Sequence, residues 1–347
     1  MSGRVLIRNE NGTIEQKLVK IDRPLLRIPT LAIHLQTATE REAFKINKED
    51  HLVPILSLEV KKALGGKSSS SNNDDEKEND DDETLEDNGW VEHQESLLLK
   101  LIASELSVPT SSIADFELNL FDVQKATLGG VYSEFIHSAR LDNLASCFIA
   151  VQALTEYVTD DNGAALEDDE DVSLIALFDH EEVGSTSATG AGAPLIGEAV
   201  KKICNSFCKS ADENIIDSYQ HSISKSFVLS VDQAHAIHAN YASKHEKNHA
   251  PRMNGGMVIK RNANQRYATN CITGFIVKEV ARKAGLQPVQ EFVVRNDCGC
   301  GSTIGPIISS NTGIRAIDMG CPQLSMHSIR ETMGTNDSEF ESFNSFM

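Results

Sequence analysis

From residue 129 onward, helix-like and strand-like stretches alternate along this 347-residue chain, and the alternation limits its fold more than any other feature. Some stretches repeat small and apolar residues at helical spacing, whereas others are short apolar runs. The predicted helices are 144–157, 195–206 and 269–284, and the predicted strands are 172–178, 226–232, 291–295 and 314–319. The pattern predicts an α/β fold with a mostly parallel central sheet flanked by helices.

Residues 1–127 follow a different pattern, which predicts a separate domain that is mixed and rich in β-structure. The predicted elements are strands at 4–8, 13–21 and 113–123 and a helix at 97–106. An Asn-Gly pair at residues 11–12 is the turn signal of a hairpin between the first two strands. We therefore expect two domains, 1–127 and 128–347.

The formal net charge of −19 argues against binding to nucleic acid, whose phosphates would be repelled. Ten acidic residues and one lysine fall within 74–87, which predicts a disordered acidic loop at about 66–88. No run of about 18 apolar residues occurs, so we expect no membrane-spanning helix. Seven scattered cysteines favour reduced thiols and a cytoplasmic location, with the vacuole or lysosome as the alternative.

Two adjacent carboxylates, Glu181 and Glu182, follow the apolar run 174–178 and precede Gly184. An apolar run that ends in polar residues predicts a buried strand, and the carboxyl ends of such strands carry the chemistry of α/β proteins. Neighbouring side chains on a strand point to opposite faces, so one acid can bind a metal while the other handles a proton. The competing interpretation is a pair of solvated loop residues, which is the commoner role of paired acids.

Three further residues at predicted element boundaries carry side chains that bind metals. Asp142 stands in the turn before a predicted helix, Asp232 ends a predicted strand, and His327 stands where a turn is expected to enter a helix. Each has an ordinary alternative, because Asp142 can cap its helix and a lone histidine in a turn is usually structural. Together with Glu182 they form an oxygen-rich donor set that suits zinc or manganese.

Seven short motifs carry a resemblance to a known family. They are RIPTLAIHLQ (27–36), HLVPIL (51–56), RLDN (140–143), HEEVGS (180–185), DQAHA (232–236), QRYATN (265–270) and QLSMHSIRE (323–331). In this set and order, the chain resembles the aspartyl aminopeptidases, a family of cocatalytic dizinc exopeptidases. The motifs are spread over nearly the whole chain.

The resemblance implies a role for each metal-binding candidate. Asp142 would bridge two zinc ions, Glu182 and His327 would complete one site, and Asp232 would serve the second. Glu181 would be the general base. Manganese or cobalt is expected to substitute for zinc.

The resemblance also implies how substrate is recognised. Lys260 would pair with the acidic side chain of the substrate's first residue, with Tyr267 nearby. His34 would reach the active site of a neighbouring subunit and help to hold the tetrahedral intermediate.

The chain departs from the family in two places. The family's second metal site takes a histidine from an early His-x-Asp-Ser-Pro type motif, but no histidine precedes His34 here. We therefore expect a catalytic domain that is incomplete at its N-terminal side and holds one zinc rather than two. In addition, Gly299 stands where the family usually has proline, so we expect a less rigid loop there.

The function implied by the resemblance is a metal-dependent aminopeptidase that releases N-terminal Asp or Glu from peptides by two-metal hydrolysis. Residues 1–127 would be an insertion domain that mediates dimerisation within a homo-oligomer, and 128–347 the metallopeptidase domain. The missing histidine supports an alternative, namely a truncated, catalytically weak or inactive assembly subunit of the same family. A metal-dependent hydrolase for some other substrate is the third possibility.

Overall fold

The structure, a computed structural model, forms two compact units of helices and strands, Met1–Gln124 and Lys125–Met347. The described residues are 1–58, 89–159, 166, 169–207 and 215–338. The predicted acidic loop at 66–88 lies outside them. The predicted α/β class is confirmed in its coarse form, because both units combine helices with sheets.

The first unit is built on a three-stranded antiparallel sheet, in which the strand that comes first in the sequence lies between the other two. Its elements are β1 (Ser2–Arg8), β2 (Ile14–Lys20), α1 (Ala38–Glu42), α2 (Gly89–Glu92), α3 (Ser96–Leu106) and β3 (Ile113–Asn119). The predicted hairpin is present, and its turn closes with a hydrogen bond from Gly12 N to Asn9 O. Val5 and Ile7 alternate with more exposed neighbours along β1 and join Ile102 of α3 in one apolar cluster.

A long segment of the first unit exposes apolar side chains to solvent. The exposed large apolar residues of this segment are Ile28, Leu31, Ile33, Leu35, Phe44, Ile46, Leu52, Val53, Ile55 and Leu58. Its backbone is tied together by few bonds, among them the bridge between Arg27 and Ile55. A segment that exposes this many apolar side chains is typical of a surface that binds another protein. We call residues 28–58 the apolar segment.

The second unit contains two sheets. Its strands are β4 (Thr127–Gly129), β5 (Phe135–Ser138), β6 (Phe227–Val231), β7 (Ala234–His235), β8 (Val258–Arg261), β9 (Gln290–Val293), β10 (Arg315–Gly320), β11 (Pro322–Leu324) and β12 (Glu331–Gly334). Its helices are α4 (Leu141–Thr159), α5 (Leu195–Phe207), α6 (Ile215–Lys225), α7 (Cys271–Lys283) and α8 (Ile304–Thr312). One sheet has the order β6-β10-β8-β9, and the other β4-β5-β12-β11-β7.

The two sheets differ in strand direction. In the four-stranded sheet β10 runs parallel to β6 and antiparallel to β8, and β8 runs parallel to β9. In the five-stranded sheet only β11 and β7 are parallel, and the other three pairs are antiparallel. Two of the three strand pairs in the four-stranded sheet are parallel, and the five-stranded sheet was not predicted.

The core of the second unit lies against the four-stranded sheet. Ile149 of α4 and Val277 of α7 pack in one cluster with Ile259 of β8 and with Ile317 and Met319 of β10. Burying each such side chain contributes about 1.5–3 kcal/mol. Strand β10 is buried on both faces from its second residue onward, which is typical of a strand in a sheet covered on both sides.

The predicted strand at 172–178 is wrong. The segment forms no regular structure, and no strand pairs with it among the described residues. Leu174 and Leu177 are about half exposed, at 49% and 54%. An apolar run shows that a segment can be buried, but only a hydrogen-bonded neighbour makes it a strand, and that neighbour is not visible in the local sequence.

Among the helices that the structure describes, none combines the length and apolar character that crossing a membrane requires.

Candidate metal centre

Asp142 lies at the entrance of α4, where the backbone is not yet helical. Its φ and ψ angles are −83° and 108°, and the regular helix begins after Asn143. The carboxylate is nearly buried, with 6% of the side chain exposed. It faces Glu182, His327 and Asp232. The alternative role of capping the helix therefore does not account for Asp142, whose side chain turns toward these three residues.

Glu181 and Glu182 occupy a short 3₁₀-helix, Glu181–Val183, that follows the irregular segment. The prediction that they end a strand is therefore wrong. Side chains in a 3₁₀-helix are separated by about 120° around its axis, so the two acids still point in different directions. The helix is fixed at one side by the hydrogen bond from Ser185 N to His180 O.

His327 lies in the turn between β11 and β12, not at the start of a helix as predicted. Its backbone has a φ of 63°, in the left-handed region that non-glycine residues rarely adopt. Its Nε2 atom lies 3.4 Å from Asp142 Oδ2 and 3.4 Å from Glu182 Oε1. The turn therefore presents the imidazole to both carboxylates.

These three residues form a donor set that fits zinc. One ligand atom from each of Asp142, Glu182 and His327 lies within 4.8 Å of the others, and this is the one such group in the described parts of the chain. Zinc binds carboxylate oxygen and imidazole nitrogen at about 2.0–2.2 Å, which places tetrahedral ligands about 3.3 Å apart. The two measured distances of 3.4 Å match that separation, so the residues present could hold the ion.

Asp232 follows β6 directly and forms a buried ion pair with Lys260 of β8. Lys260 Nζ donates to Asp232 Oδ2 over 2.9 Å, and the lysine side chain is 3% exposed. Burial acts to raise the pKa of Asp232, but the Lys260 ammonium and hydrogen bonds from Asp142 and the Gln233 backbone hold it below its ordinary value. Asp232 thus stays ionised beside the donor set.

Asp142 shows the opposite shift. Burial, the neighbouring Asp232 and the nearby Glu182 raise the pKa of Asp142 to about 9, against a weaker opposing effect of Lys260. Crowded carboxylates share a proton because they cannot all carry charge in a partly buried place. A divalent cation among them removes that penalty, which is a second argument for a metal at this position.

Glu181 lies within electrostatic reach of the same groups. Burial, followed by Asp232 and Glu182, raises the pKa of Glu181 to about 7, while Lys260 and His327 act in the opposite direction. A carboxyl with this pKa can both accept and release a proton near neutral pH, as a general base requires.

Tyr267 is buried next to Lys260. The Lys260 Nζ atom lies 5.5 Å from the centre of the Tyr267 ring, close enough for a cation–π contact. The Tyr267 hydroxyl accepts a hydrogen bond from Cys300 Sγ over 3.4 Å. Both predicted substrate-binding residues of this unit are therefore neighbours of Asp232 and its ion pair.

His34 lies in the first unit, in the 3₁₀-helix Ile33–Leu35, and its side chain is exposed. Its role in a neighbouring subunit stays a prediction.

Sequence reasoning missed His235 of β7 as a member of this region. Its ring packs edge-to-face on Phe292 with centroids 5.5 Å apart. Desolvation and the Lys260 ammonium lower the pKa of His235 to about 4, so the imidazole is neutral at neutral pH. The residue stands in the DQAHA motif, and its closeness to Lys260 comes from the fold.

The fold and the donor set define a class, that of α/β proteins with a site suited to a metal-dependent hydrolase. The sequence profile of the family described as "Aminopeptidase I zinc metalloprotease (M18)" matches residues 1–346. The chain belongs to this M18 family.

Curated relatives agree with this assignment. The chain is 46% identical to a probable aspartyl aminopeptidase of Ricinus communis over 354 aligned positions, which cover 100% of this chain and 70% of the relative. It is 47% identical to the aspartyl aminopeptidase of Aspergillus oryzae over 346 positions, covering 97% and 68%. The family resemblance inferred from the seven motifs is thereby confirmed.

Solved structures show the same fold. A cryo-EM structure of the complex of Ape4 and Nbr1 matches with a TM-score of 0.84 and 42% identity, covering 99% of this chain and 62% of that chain. A crystal structure of prApe1 matches with a TM-score of 0.82 and 31% identity, covering 99% and 68%. The Saccharomyces cerevisiae mApe1 dodecamer matches with a TM-score of 0.73 and 30% identity, again covering 99% and 68%. The chain therefore spans about two thirds of these proteins.

Proposed function

We propose that this chain is a zinc-dependent aminopeptidase that releases N-terminal Asp or Glu from peptides. The observation that carries the proposal is the convergence of Asp142, Glu182 and His327 beside the buried pair of Asp232 and Lys260. Family membership and the names of the relatives support the reaction, and the buried ammonium supports a preference for acidic substrates.

Asp142, Glu182 and His327 would hold one zinc ion, and Asp142 with Asp232 would supply oxygen ligands to a second. When bound, zinc polarises the scissile carbonyl group and makes water a better nucleophile at neutral pH. The three-residue set is complete for one ion. The second position has two carboxylates and no imidazole among the described residues, so we expect one tightly held ion per chain.

Glu181 would act as the general base. It accepts a proton from the water whose oxygen attacks the carbonyl carbon, and it returns that proton to the departing amine as the C–N bond breaks. Its place in the electrostatic field of Asp232, Glu182 and Lys260 supports this role.

Lys260 would bind the side-chain carboxylate of the substrate's first residue. An ammonium group has three N–H donors, and the bond to Asp232 uses one of them. Lys260 is 2% exposed, so water screens its charge weakly, and an acidic side chain brought against the remaining donors would bind strongly. A neutral side chain would leave them without a strong acceptor.

Residues 1–127 would mediate assembly into a homo-oligomer, and 128–347 would form the catalytic domain. The apolar segment supports an interface in the first unit, and one similar structure is a dodecamer. In such an assembly His34 would serve the active site of a neighbouring subunit. The described cysteines are free thiols, which supports a cytoplasmic location.

The direct test uses the full chain, stripped of metal with a chelator and then given zinc. We expect zinc to restore the release of Asp from an Asp-peptide far more than the release of Leu from a Leu-peptide, and His327→Ala to abolish both zinc binding and turnover. A chain that binds zinc and assembles but never cleaves either peptide would instead favour the role of an assembly subunit.

A further inference from the structure

One buried carboxylate holds the backbone of two candidate zinc ligands at once. Glu331 is the first residue of β12 and is 2% exposed. Its Oε2 atom accepts a hydrogen bond from Asp142 N over 2.8 Å, and its Oε1 atom accepts one from His327 N, also over 2.8 Å. Both oxygens of the side chain are therefore used, one for each ligand residue.

We propose that Glu331 is a positioning residue that fixes the separation of Asp142 and His327 and thereby sets the affinity of the site for zinc. The inference rests on the proposed function only in taking these two residues as zinc ligands. Glu331 itself would touch neither metal nor substrate.

The backbone at His327 needs such support. Its left-handed conformation costs about 1–2 kcal/mol for a residue other than glycine. The residue lies in a turn with Ser325, which also has a positive φ of 60°. A charge-assisted hydrogen bond to the His327 amide stabilises this conformation, and the direction of the imidazole follows from it.

Asp142 needs support for a different reason. It precedes the regular part of α4, so its amide has no helical partner. Arg140, two residues earlier, has a positive φ of 58°, which turns the chain into the helix. Glu331 accepts a hydrogen bond from the Asp142 amide and thereby ties the start of α4 to the carboxylate that also bonds the turn at His327.

The Glu331 carboxylate is carried by a strand inside a sheet. Strand β12 is paired on one side with β11 and on the other with β5, with Glu331 opposite Ser138. A side chain on a strand inside a sheet has much less freedom than one on a loop, so it can define a distance between two loops. The 3.4 Å between His327 Nε2 and Asp142 Oδ2 is the distance that this arrangement sets.

The test is Glu331→Gln in the full chain. Glutamine has nearly the same shape, but it offers one acceptor oxygen and points an N–H₂ group at the second amide. We expect the zinc dissociation constant, measured by competition with a chelator, to rise about 10–100-fold, as for other residues that orient metal ligands. Excess zinc should restore most of kcat, and the absorption spectrum of the cobalt-loaded variant should shift.

Asp337→Asn is the matched control. Asp337 is also buried, and its carboxylate also accepts hydrogen bonds from two backbone amides, those of Asn254 and Gly256. Neither of these two residues is a candidate zinc ligand. We expect this variant to lower the unfolding midpoint of the zinc-free chain without changing zinc affinity.

Two results would overturn the proposal. One is a Glu331→Gln chain that folds and binds zinc as tightly as wild type, provided that His327→Ala has lost zinc. The other is loss of folding in zinc-free buffer by both Glu331→Gln and Glu331→Asp, since the carboxylate would then serve the fold itself. If His327→Ala keeps wild-type zinc affinity, the ligand assignment in the proposed function is what fails.

Discussion

At the scale of single residues, the site is dominated by repulsion among carboxylates. Alongside burial, Asp232 and Glu182 raise the pKa values of Asp142 and Glu181, and the Lys260 ammonium opposes them at both residues. Of the pair Asp142 and Asp232, the acid bonded to Lys260 stays ionised and the other takes up a proton. This imbalance is what a bound cation would correct.

Mutation should distinguish the roles of the neighbouring acids Glu181 and Glu182. Glu182→Gln removes a candidate ligand, so we expect loss of zinc measured by metal analysis. Glu181→Gln should keep its zinc and lower kcat by about 10²–10⁴-fold, because it removes proton transfer alone. The reverse pattern, with zinc lost from the Glu181 variant and retained in the Glu182 variant, would mean that the two roles are exchanged.

Lys260→Met tests substrate choice while keeping an unbranched side chain of similar length. We expect kcat/KM for Asp- and Glu-peptides to fall by about 10²-fold or more, and that for a Leu-peptide to change much less, since only the acidic substrates lose a buried ionic partner. Zinc content should be measured in parallel, because Lys260 also bonds Asp232. Equal losses for all three peptides would assign Lys260 to the metal site or the fold.

Residue type and element boundaries were enough to nominate Asp142, Glu182, Asp232 and His327. They were not enough to show that Lys260 is paired with Asp232, because a hydrogen bond between residues 28 positions apart depends on which strands become neighbours. Glu331 was hidden for the same reason. Nothing in the local sequence distinguishes it from a solvated acid, and one of its two partners, Asp142, lies 189 positions earlier in the chain.

At the scale of elements, the helices and the strands with a clear apolar run were predictable, and the shortest strands were not. The predicted helices 144–157, 195–206 and 269–284 are present within a few residues, because a helical period repeats over many positions. Strands β4 and β11 have three residues each, too few to show a period. These short strands owe their existence to partners elsewhere in the five-stranded sheet.

Gly305→Ala should show how closely helix α8 packs against Asp318. A Cβ atom at Gly305 in α8 would overlap both carboxylate oxygens of Asp318, which is fully buried and accepts a hydrogen bond from Thr303 Oγ1 over 2.6 Å. We expect denaturant unfolding to show a loss of about 1–3 kcal/mol from overpacking, which outweighs the gain of up to about 1 kcal/mol from replacing glycine in a helix.

The control for this change is Gly299→Ala, where an added Cβ meets nothing within 4 Å. It should leave stability within about 0.5 kcal/mol of wild type. A Gly305 variant as stable as this control would show that the Asp318 carboxylate can move aside.

At the scale of the whole molecule, the apolar segment and the candidate metal centre belong to different compact units. Assembly and zinc binding are therefore expected to be disturbed separately. Leu35 is 73% exposed and Val53 is 65% exposed, values that are unfavourable in a subunit that stays alone in water.

We expect light scattering to show a homo-oligomer, and the double variant Leu35→Glu with Val53→Glu to form smaller particles while keeping its zinc. Gln16→Glu on β2 adds one charge at an exposed polar position of the same unit and should leave the assembly intact. A wild-type chain that is monomeric at all accessible concentrations would exclude the proposed interface.

The Glu331 side chain accepts hydrogen bonds from the backbone amides of His327 and of Asp142, and Asp142 lies 189 positions before Glu331 in the chain. Asp142 leaves the ribosome long before His327, and at about 5–20 residues per second the interval is roughly 10–40 s. During that time the nascent chain carries acids that can attract cations, but it lacks the imidazole and the carboxylate that places it. The proposed zinc site can thus be completed only when almost the whole second unit has been synthesised.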